Sequence, residues 1–164
     1  MRLDLRDIIG VPGGAIPFAF QLDLSHLDFF GTRPITKPVE VRGEVRNHAG
    51  ALELNGEAVT TLDLVCDRCG KEFKREKSVP LFSLLATELE GEDDDEILLL
   101  DSGVLDLGEF ATSAFILDMD SKNLCTEDCK GICAGCGANL NTEPCRCRHE
   151  VDPRLAALAQ LLDK

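Results

Sequence analysis

The sequence is poor in aromatic rings and in positive charge. Its 164 residues include eight Phe but no Trp and no Tyr. Proteins that stack successive bases on rings usually carry more aromatic residues, so we do not expect a base-stacking platform. Asp and Glu number 30 against 17 Lys and Arg, which gives a formal net charge of −13. This balance argues against a general phosphate-binding surface and favours attraction to basic partners.

Long apolar runs are also missing. No stretch approaches the roughly 18 apolar residues that a transmembrane helix needs. The first seven residues, Met1–Asp7, alternate charged and apolar side chains, and no apolar core of a secretory signal follows them. We therefore expect a cytoplasmic protein, in which thiols stay reduced and clustered cysteines indicate metal binding rather than disulfides.

Alternating patterns predict an antiparallel sheet. Apolar or small residues occupy the odd positions of Val39–Arg46, which is typical of a half-buried strand. From residue 52 to 64 the leucines share one parity, which favours one long strand over a hairpin at Asn55-Gly56. Phe73–Leu85 is interpreted as the returning strand. An earlier strand is expected within Ile16–Leu24.

One main helix is expected near residues 106–118. Asp106 and Glu109 resemble a capping box. The apolar residues that follow recur at helical spacing and are interpreted as core: Leu107, Phe110, Ala111, Ala114 and Phe115. Ile97–Leu100, just upstream, is predicted to be a buried strand.

Two segments are candidates for contacts with other molecules. Seven acidic residues crowd into positions 88–96 and predict a solvated loop that can also attract a basic partner. Near the end of the chain, Asp152 and Pro153 are typical of a helix N-terminus and predict a short terminal helix. The predicted organisation is α+β, an antiparallel β-meander or partial barrel. It comprises a β-rich domain (1–124), a Cys-rich metal-binding module (125–149) and a C-terminal helix (150–164).

Eight cysteines carry the clearest chemical signal. Two stretches share the form Cys-x2-Cys-Gly, at Cys66–Gly70 and at Cys133–Gly137. This spacing lets two sulfurs face one ion, and the glycine permits a positive φ that turns backbone N–H groups towards the thiolates. The other four are Cys125, Cys129, Cys145 and Cys147. Eight thiolates divide into two closed tetrahedral sites, so we predict two structural zinc ions.

Loop closure suggests how the cysteines divide. Few residues separate Cys136 from Cys145, so closing that loop costs little entropy. We therefore group Cys133, Cys136, Cys145 and Cys147. The remaining set is Cys66, Cys69, Cys125 and Cys129. An alternative joins the two Cys-x2-Cys stretches in one zinc ribbon.

Other cysteine chemistries stay open or are excluded. The spacing of Cys129, Cys133 and Cys136 is that of a radical-SAM motif, but such motifs belong to a large α/β barrel that this chain is too short to form. An iron–sulfur cluster is compatible with the spacing, and so is a redox sensor with activated thiols. The sequence contains no nucleophile elbow, P-loop or dinucleotide fingerprint, so we expect no enzyme activity.

One short stretch is basic. Arg68, Lys71, Lys74 and Arg75 lie in and after the first Cys-x2-Cys stretch. A solvated face of mixed charge is the simpler interpretation, because Asp67, Glu72 and Glu76 lie among them. A local contact with RNA is the alternative.

Together these motifs resemble the YceD family. The resemblance rests on Cys66-Asp67-Arg68-Cys69, on the run from Asp128 to Gly137, on Asn139-Leu140-Asn141, on Cys145-Arg146-Cys147 and on the run from Val151 to Leu155. It covers roughly residues 40–164. Two departures are Ala134, where the family often has Pro, and Leu117–Asp120, where the family often has Leu-Ala-Leu-Pro.

The resemblance implies a role in accumulating the RNA of the large ribosomal subunit. Family members are known as large ribosomal RNA subunit accumulation proteins, needed for normal levels of 23S ribosomal RNA. We therefore expect a non-enzymatic accessory factor of large-subunit assembly that binds a basic ribosomal protein or a pre-ribosomal particle. A redox- or metal-responsive regulator and a direct RNA-binding protein are the alternatives.

Overall fold

The computed structural model describes residues 1–87 and 97–147. The acidic run at 88–96 and the predicted C-terminal helix at 150–164 lie outside the described residues. The chain divides into two compact units. The first contains Met1–Leu64 and Glu72–Asn123, and the second contains Val65–Lys71 and the segment that starts at Leu124. The second unit thus includes the first Cys-x2-Cys stretch as well as the Cys-rich segment.

A five-stranded sheet forms the centre of the first unit. Its strands, in spatial order, are β2 (Ala15–Leu22), β3 (Val39–His48), β4 (Ala51–Val65), β5 (Glu72–Ala86) and β6 (Ile97–Leu99). Strands β2, β3 and β4 pair antiparallel, and β6 pairs parallel with β5. A separate antiparallel ribbon joins β1 (Arg2–Asp4) to β7 (Val104–Asp106). Among the described residues the helices are α1 (Arg6–Ile9) and α2 (Leu107–Leu117). The predicted α+β class is confirmed.

Strand β4 runs unbroken through Asn55-Gly56, as the parity of its leucines predicts. The core-facing residues of the strand are Leu52, Leu54, Ala58, Leu62 and Leu64. Gly56 lies opposite Gly43 on β3. A Cβ atom on Gly43 would lie 2.7 Å from Cζ of Phe18, so the ring of Phe18 occupies the space that the two glycines leave.

Helix α2 begins where the capping signal predicts. The carboxylate of Asp106 accepts a hydrogen bond from the backbone N–H of Glu109 across 3.1 Å. This satisfies one of the N–H groups that lack a partner in the first turn of a helix. Phe115 is fully buried, and Leu107 and Ala111 are buried beside it, so the predicted apolar stripe is core.

Two local features differ from the sequence prediction. The stretch Ile97–Leu100 is not a buried strand, because Leu99 is 52% exposed and the strand ends there. Strand β6 is three residues long and lies at the edge of the sheet, which leaves one side open. The short helix α1 was not predicted. The side-chain amide of Asn47 supports it by donating to the carbonyl oxygens of Ile8 and Ile9.

Neither helix in the part of the chain that the structure describes is long and apolar enough to cross a membrane.

Candidate metal centres

The first Cys-x2-Cys stretch forms a tight knuckle between β4 and β5. The backbone N–H of Cys66 donates to the carbonyl oxygen of Lys71 across 2.9 Å. The N–H of Gly70 donates back to the carbonyl oxygen of Cys66 across 2.8 Å. Gly70 adopts a φ of 69°, a conformation that costs glycine little because it has no Cβ.

The second stretch repeats this geometry. The N–H of Cys133 donates to the carbonyl oxygen of Ala138, and the N–H of Gly137 donates to that of Cys133, both across 2.9 Å. Gly137 has a φ of 72°, close to that of its counterpart. The positive φ predicted for the glycine after each second cysteine is therefore confirmed in both knuckles.

Four cysteines, here called the buried set, converge within the second unit. Cys66, Cys69, Cys125 and Cys129 place their sulfur atoms within 4.8 Å of one another. The sulfurs of Cys66 and Cys129 are 3.7 Å apart, as are those of Cys69 and Cys125. The first knuckle thus meets two cysteines that are more than fifty positions away in sequence.

The remaining cysteines, here called the exposed set, form a second cluster. Cys133, Cys136, Cys145 and Cys147 also lie within 4.8 Å of one another through their sulfurs. The distances from Cys145 are 3.4 Å to Cys133 and 3.9 Å to Cys136, and Cys133 lies 3.6 Å from Cys147. All eight cysteines are free thiols. The structure brings together the two groups that loop closure predicts, and it places the two knuckles in different sets rather than in one.

Both sets fit a tetrahedral metal ion. A metal–sulfur distance of about 2.3 Å implies sulfur–sulfur edges of about 3.8 Å in a regular tetrahedron. The observed sulfur–sulfur distances of 3.4–3.9 Å bracket that value. Four thiolates and no open position are typical of a structural site. Each set can therefore hold one metal ion with little rearrangement.

Backbone N–H groups favour the thiolate form most strongly at one cysteine of each set. In the buried set, hydrogen bonds led by the N–H of Cys125 lower the pKa of Cys66 to about 6. In the exposed set, the N–H groups of Cys136 and Gly135 lower the pKa of Cys133 to about 6. Each set thus carries negative charge near neutral pH before any metal binds.

In each set the pKa of another cysteine is raised. The N–H of Lys71 favours the thiolate of Cys69, but burial and the adjacent thiols outweigh it and raise the pKa of Cys69 to about 12. Hydrogen bonds with Cys133 and Cys145 raise the pKa of Cys147 to about 12. Four thiolates this close together repel one another strongly. A divalent cation would stabilise all four, and its binding would release protons from the cysteines that are still protonated.

Residues beyond the cysteines also support the clusters, and sequence reasoning did not assign them. The side-chain amide of Asn141 donates to the sulfur of Cys129 across 3.3 Å. The guanidinium of Arg68 donates to the carbonyl oxygen of Cys129 across 2.8 Å. A Cβ atom on Gly135 would lie 2.5 Å from the sulfur of Cys147, so that sulfur packs against bare backbone. The motif Asn139-Leu140-Asn141 was the one sequence signal that could have indicated the contact between Asn141 and Cys129.

The candidate RNA-contact residues are distributed over the two units. Arg68 and Lys71 belong to the second unit, where Arg68 binds the backbone as described. Lys74 and Arg75 belong to the first, where Lys74 pairs with Asp63 at 2.8 Å and Arg75 with Asp120 at 3.5 Å. Three of the four charges are thus engaged within the chain. An RNA contact at these residues stays a prediction.

Comparison with known proteins gives a consistent result. The family model described as "Large ribosomal RNA subunit accumulation protein YceD" matches residues 54–162. A relative from Arabidopsis thaliana, the chloroplastic large ribosomal RNA subunit accumulation protein YCED homolog 1, is 30% identical over 80% of this chain and 50% of its own length. The protein of the same name from Zea mays is 29% identical over 90% of this chain and 61% of its own length.

A similarity over a shorter part of the chain extends to mycobacteria. An uncharacterized protein from Mycobacterium bovis is 30% identical over 59% of this chain and 49% of its own length. The chain spans about half to three fifths of the length of these relatives. No solved structure matches it. The family model alone covers about two thirds of the chain, and the chain therefore belongs to the YceD family of large ribosomal RNA subunit accumulation proteins.

Proposed function

We propose that this protein is a non-enzymatic accessory factor of large ribosomal subunit assembly, needed for normal accumulation of 23S ribosomal RNA. The observation that carries the proposal is membership of a family named for that role. The two four-cysteine sets agree with it, because closed sulfur sites stabilise a binding module and offer no open position for a substrate. The plant relatives carry the same description in their names.

The metal in both sets is proposed to be zinc. Four thiolates at tetrahedral spacing suit Zn²⁺, which has no preferred geometry of its own and no redox chemistry. The iron–sulfur alternative uses the same ligands but brings inorganic sulfide. Plasma mass spectrometry of the purified protein is expected to give about two zinc ions per chain. Iron together with acid-labile sulfide would contradict this assignment.

The partner is proposed to be a basic protein of the large subunit or of its precursor. The support is the formal charge of −13, which repels phosphate and attracts a cationic protein at long range. Surface ion pairs contribute little individually, so affinity also requires an apolar contact.

The cellular role is tested by removing the gene. Cells that lack it are expected to have a lower ratio of 23S to 16S ribosomal RNA, restored by the wild-type chain. A variant with Cys66→Ser and Cys129→Ser, which dismantles the buried set, is expected to restore the ratio poorly. Unchanged RNA levels in cells confirmed to lack the protein would contradict the proposal.

The nature of the partner is tested by charge. Replacing Glu92, Asp93, Asp94 and Asp95 with Gln or Asn is expected to slow association with the basic partner and to flatten its dependence on salt. Zinc content and stability serve as controls and are expected to stay unchanged. If the isolated protein instead captured 23S ribosomal RNA without any ribosomal protein, the direct RNA-binding alternative would be favoured.

A further inference from the structure

The two cysteine sets differ sharply in access to solvent. Cys66 and Cys129 are each 2% exposed and Cys69 is 8% exposed. In the exposed set, by contrast, Cys136 and Cys145 are exposed and Cys133 and Cys147 are partly so. A dissolved oxidant can therefore reach Cys136 and Cys145 directly, whereas three sulfurs of the first set are shielded and its fourth cysteine, Cys125, is only partly exposed.

The two sets also differ in how their ligands are held. The buried set joins two segments that are distant in sequence, and further hydrogen bonds connect the same segments. The N–H of Ile132 donates to the carbonyl oxygen of Arg68 across 2.9 Å, and the guanidinium of Arg68 donates to the carbonyl oxygen of Cys129. Opening this set requires both segments to separate.

All four ligands of the exposed set lie within fifteen consecutive positions, from Cys133 to Cys147. Their supporting bonds are short-range: the N–H of Arg146 donates to the sulfur of Cys136, and that of Cys147 to the sulfur of Cys145, each across 3.4 Å. The stretch Cys145–Cys147 lies after Asn141, whose amide contacts Cys129. This stretch can therefore open while that contact and the buried set stay in place, because local openings cost less than global ones.

We propose that the exposed set is a site of reversible oxidation by peroxides, which releases its metal ion while the buried set retains its own. This inference rests on the proposed zinc occupancy of both sets. Cys133 and Cys145 are the expected pair, because their sulfurs are already 3.4 Å apart. A disulfide needs about 2.05 Å, which a small movement of the loop that carries Cys145 provides.

The reaction balances as a two-electron step. The sulfur of one thiolate attacks the peroxide, the O–O bond breaks, and a sulfenic acid and one water form with a proton from solvent. The second thiolate displaces the oxygen, which leaves as another water after protonation, and the S–S bond forms. Two sulfurs are oxidised and one peroxide is reduced. The remaining two thiolates cannot hold zinc tightly, so the ion leaves.

The test uses the zinc-loaded protein with all 164 residues and hydrogen peroxide, with released zinc followed by a chromogenic chelator. We expect one equivalent to appear at least about 10-fold faster than the second, because accessibility governs thiolate oxidation. Peptide mass spectrometry after the fast phase is expected to find a disulfide between Cys133 and Cys145 and reduced Cys66, Cys69 and Cys129. A dithiol reductant with added zinc is expected to restore both ions.

Two matched variants assign the phases. Cys145→Ser is expected to lack the fast equivalent, and Cys125→Ser, at the most accessible position of the buried set, is expected to lack the slow one. Release of two equivalents at one rate, or a disulfide among the buried cysteines after the fast phase, would overturn the inference and leave the zinc assignment standing. A zinc content well below two before any oxidant would overturn both. The mapping on the wild-type chain settles the matter even if a variant fails to fold.

Discussion

The side-chain amide of Asn141 donates a hydrogen bond to the sulfur of Cys129 across 3.3 Å. The same side chain accepts a bond from the backbone N–H of Lys130 across 2.8 Å. One asparagine thus orients a ligand, stabilises its negative charge and fixes the turn beside it. Residues that support metal ligands in this way tune affinity from outside the coordination sphere.

Replacing this asparagine is expected to weaken metal binding at the buried set alone. Asn141→Ala should lower its zinc affinity roughly 10- to 100-fold, because Cys129 loses a donor to its thiolate. Asn141→Asp should lower it further, since a carboxylate beside a thiolate adds like-charge repulsion. Chelator competition titrations measure both. Thr142→Ala is the control, because its hydroxyl contacts the carbonyl of Asn139 in the same turn and no sulfur. Equal affinities in all four proteins would contradict this role.

The division of the cysteines predicts a stoichiometry. Cys66→Ser and Cys133→Ser remove one ligand from the buried and the exposed set respectively. Each single variant is expected to carry about one zinc ion, and the double variant close to none, because three thiolates bind zinc far more weakly than four. Metal analysis after gel filtration measures the content. A double variant that still carried one ion would show that the knuckles share a site.

Much of this arrangement could be predicted from sequence because it is local. The parity of the β4 leucines, the cap at Asp106 and the paired knuckles each depend on a few neighbouring residues. The grouping of the cysteines followed from loop length alone. What could not be predicted depends on tertiary placement. The exposure of Leu99 reflects an edge position, and the parallel pairing of β6 with β5 depends on where the chain places β6 in the sheet.

The supporting contacts of the metal site were also beyond sequence reasoning. Arg68 belongs to a basic stretch whose sequence favours a solvated face of mixed charge, with an RNA contact as the alternative, yet its guanidinium donates to the carbonyl oxygen of Cys129. Charge alone does not distinguish an RNA contact from an internal hydrogen bond, because an arginine in a turn can donate to a backbone carbonyl as well as to a ligand. The sequence did not indicate a role for Gly135 either. Its missing side chain matters because the sulfur of Cys147, from another turn, packs close to it.

Removing the metal is expected to unfold one unit selectively. Among the described residues of the second unit, the buried apolar side chains are Cys66, Cys69, Cys129 and Ala138, whereas the first unit buries an extensive core that includes Phe115. We therefore expect metal binding to supply most of the folding energy of the described part of the second unit. After complete chelation, hydrogen exchange should lose protection at 65–71 and 124–147 and keep it in β3 and β4. Retained protection in both units, with metal loss verified, would contradict this.

The glycine pair of the sheet is expected to control the stability of the first unit. A Cβ on Gly43 would meet the backbone oxygen of Asn55 as well as the ring of Phe18. Gly43→Ala should therefore lower the free energy of unfolding by about 1–3 kcal/mol, as overpacking does, with zinc content unchanged. Denaturant titration measures this. Gly10→Ala is the control, because nothing lies within 4 Å of its Cβ position and its φ is −94°. Equal destabilisation by both substitutions would remove the packing explanation.

The last prediction concerns the close approach of Gly135 and Cys147. A methyl group at position 135 would lie 2.5 Å from the sulfur, well inside contact distance, so the sulfur or the backbone must move. Metal–ligand distances tolerate only about 0.2 Å of change, so this movement is incompatible with an undisturbed tetrahedron. Gly135→Ala should therefore weaken zinc binding at the exposed set by on the order of 10-fold or more and leave the buried set unaffected. Competition titration, which resolves the two dissociation constants, measures the difference.

Ala134→Ser at the exposed neighbouring position is the control and is expected to change neither constant. If Gly135→Ala also left both zinc dissociation constants unchanged, the loop could accommodate the added methyl group. The close approach of Gly135 and Cys147 would then have no effect on metal affinity.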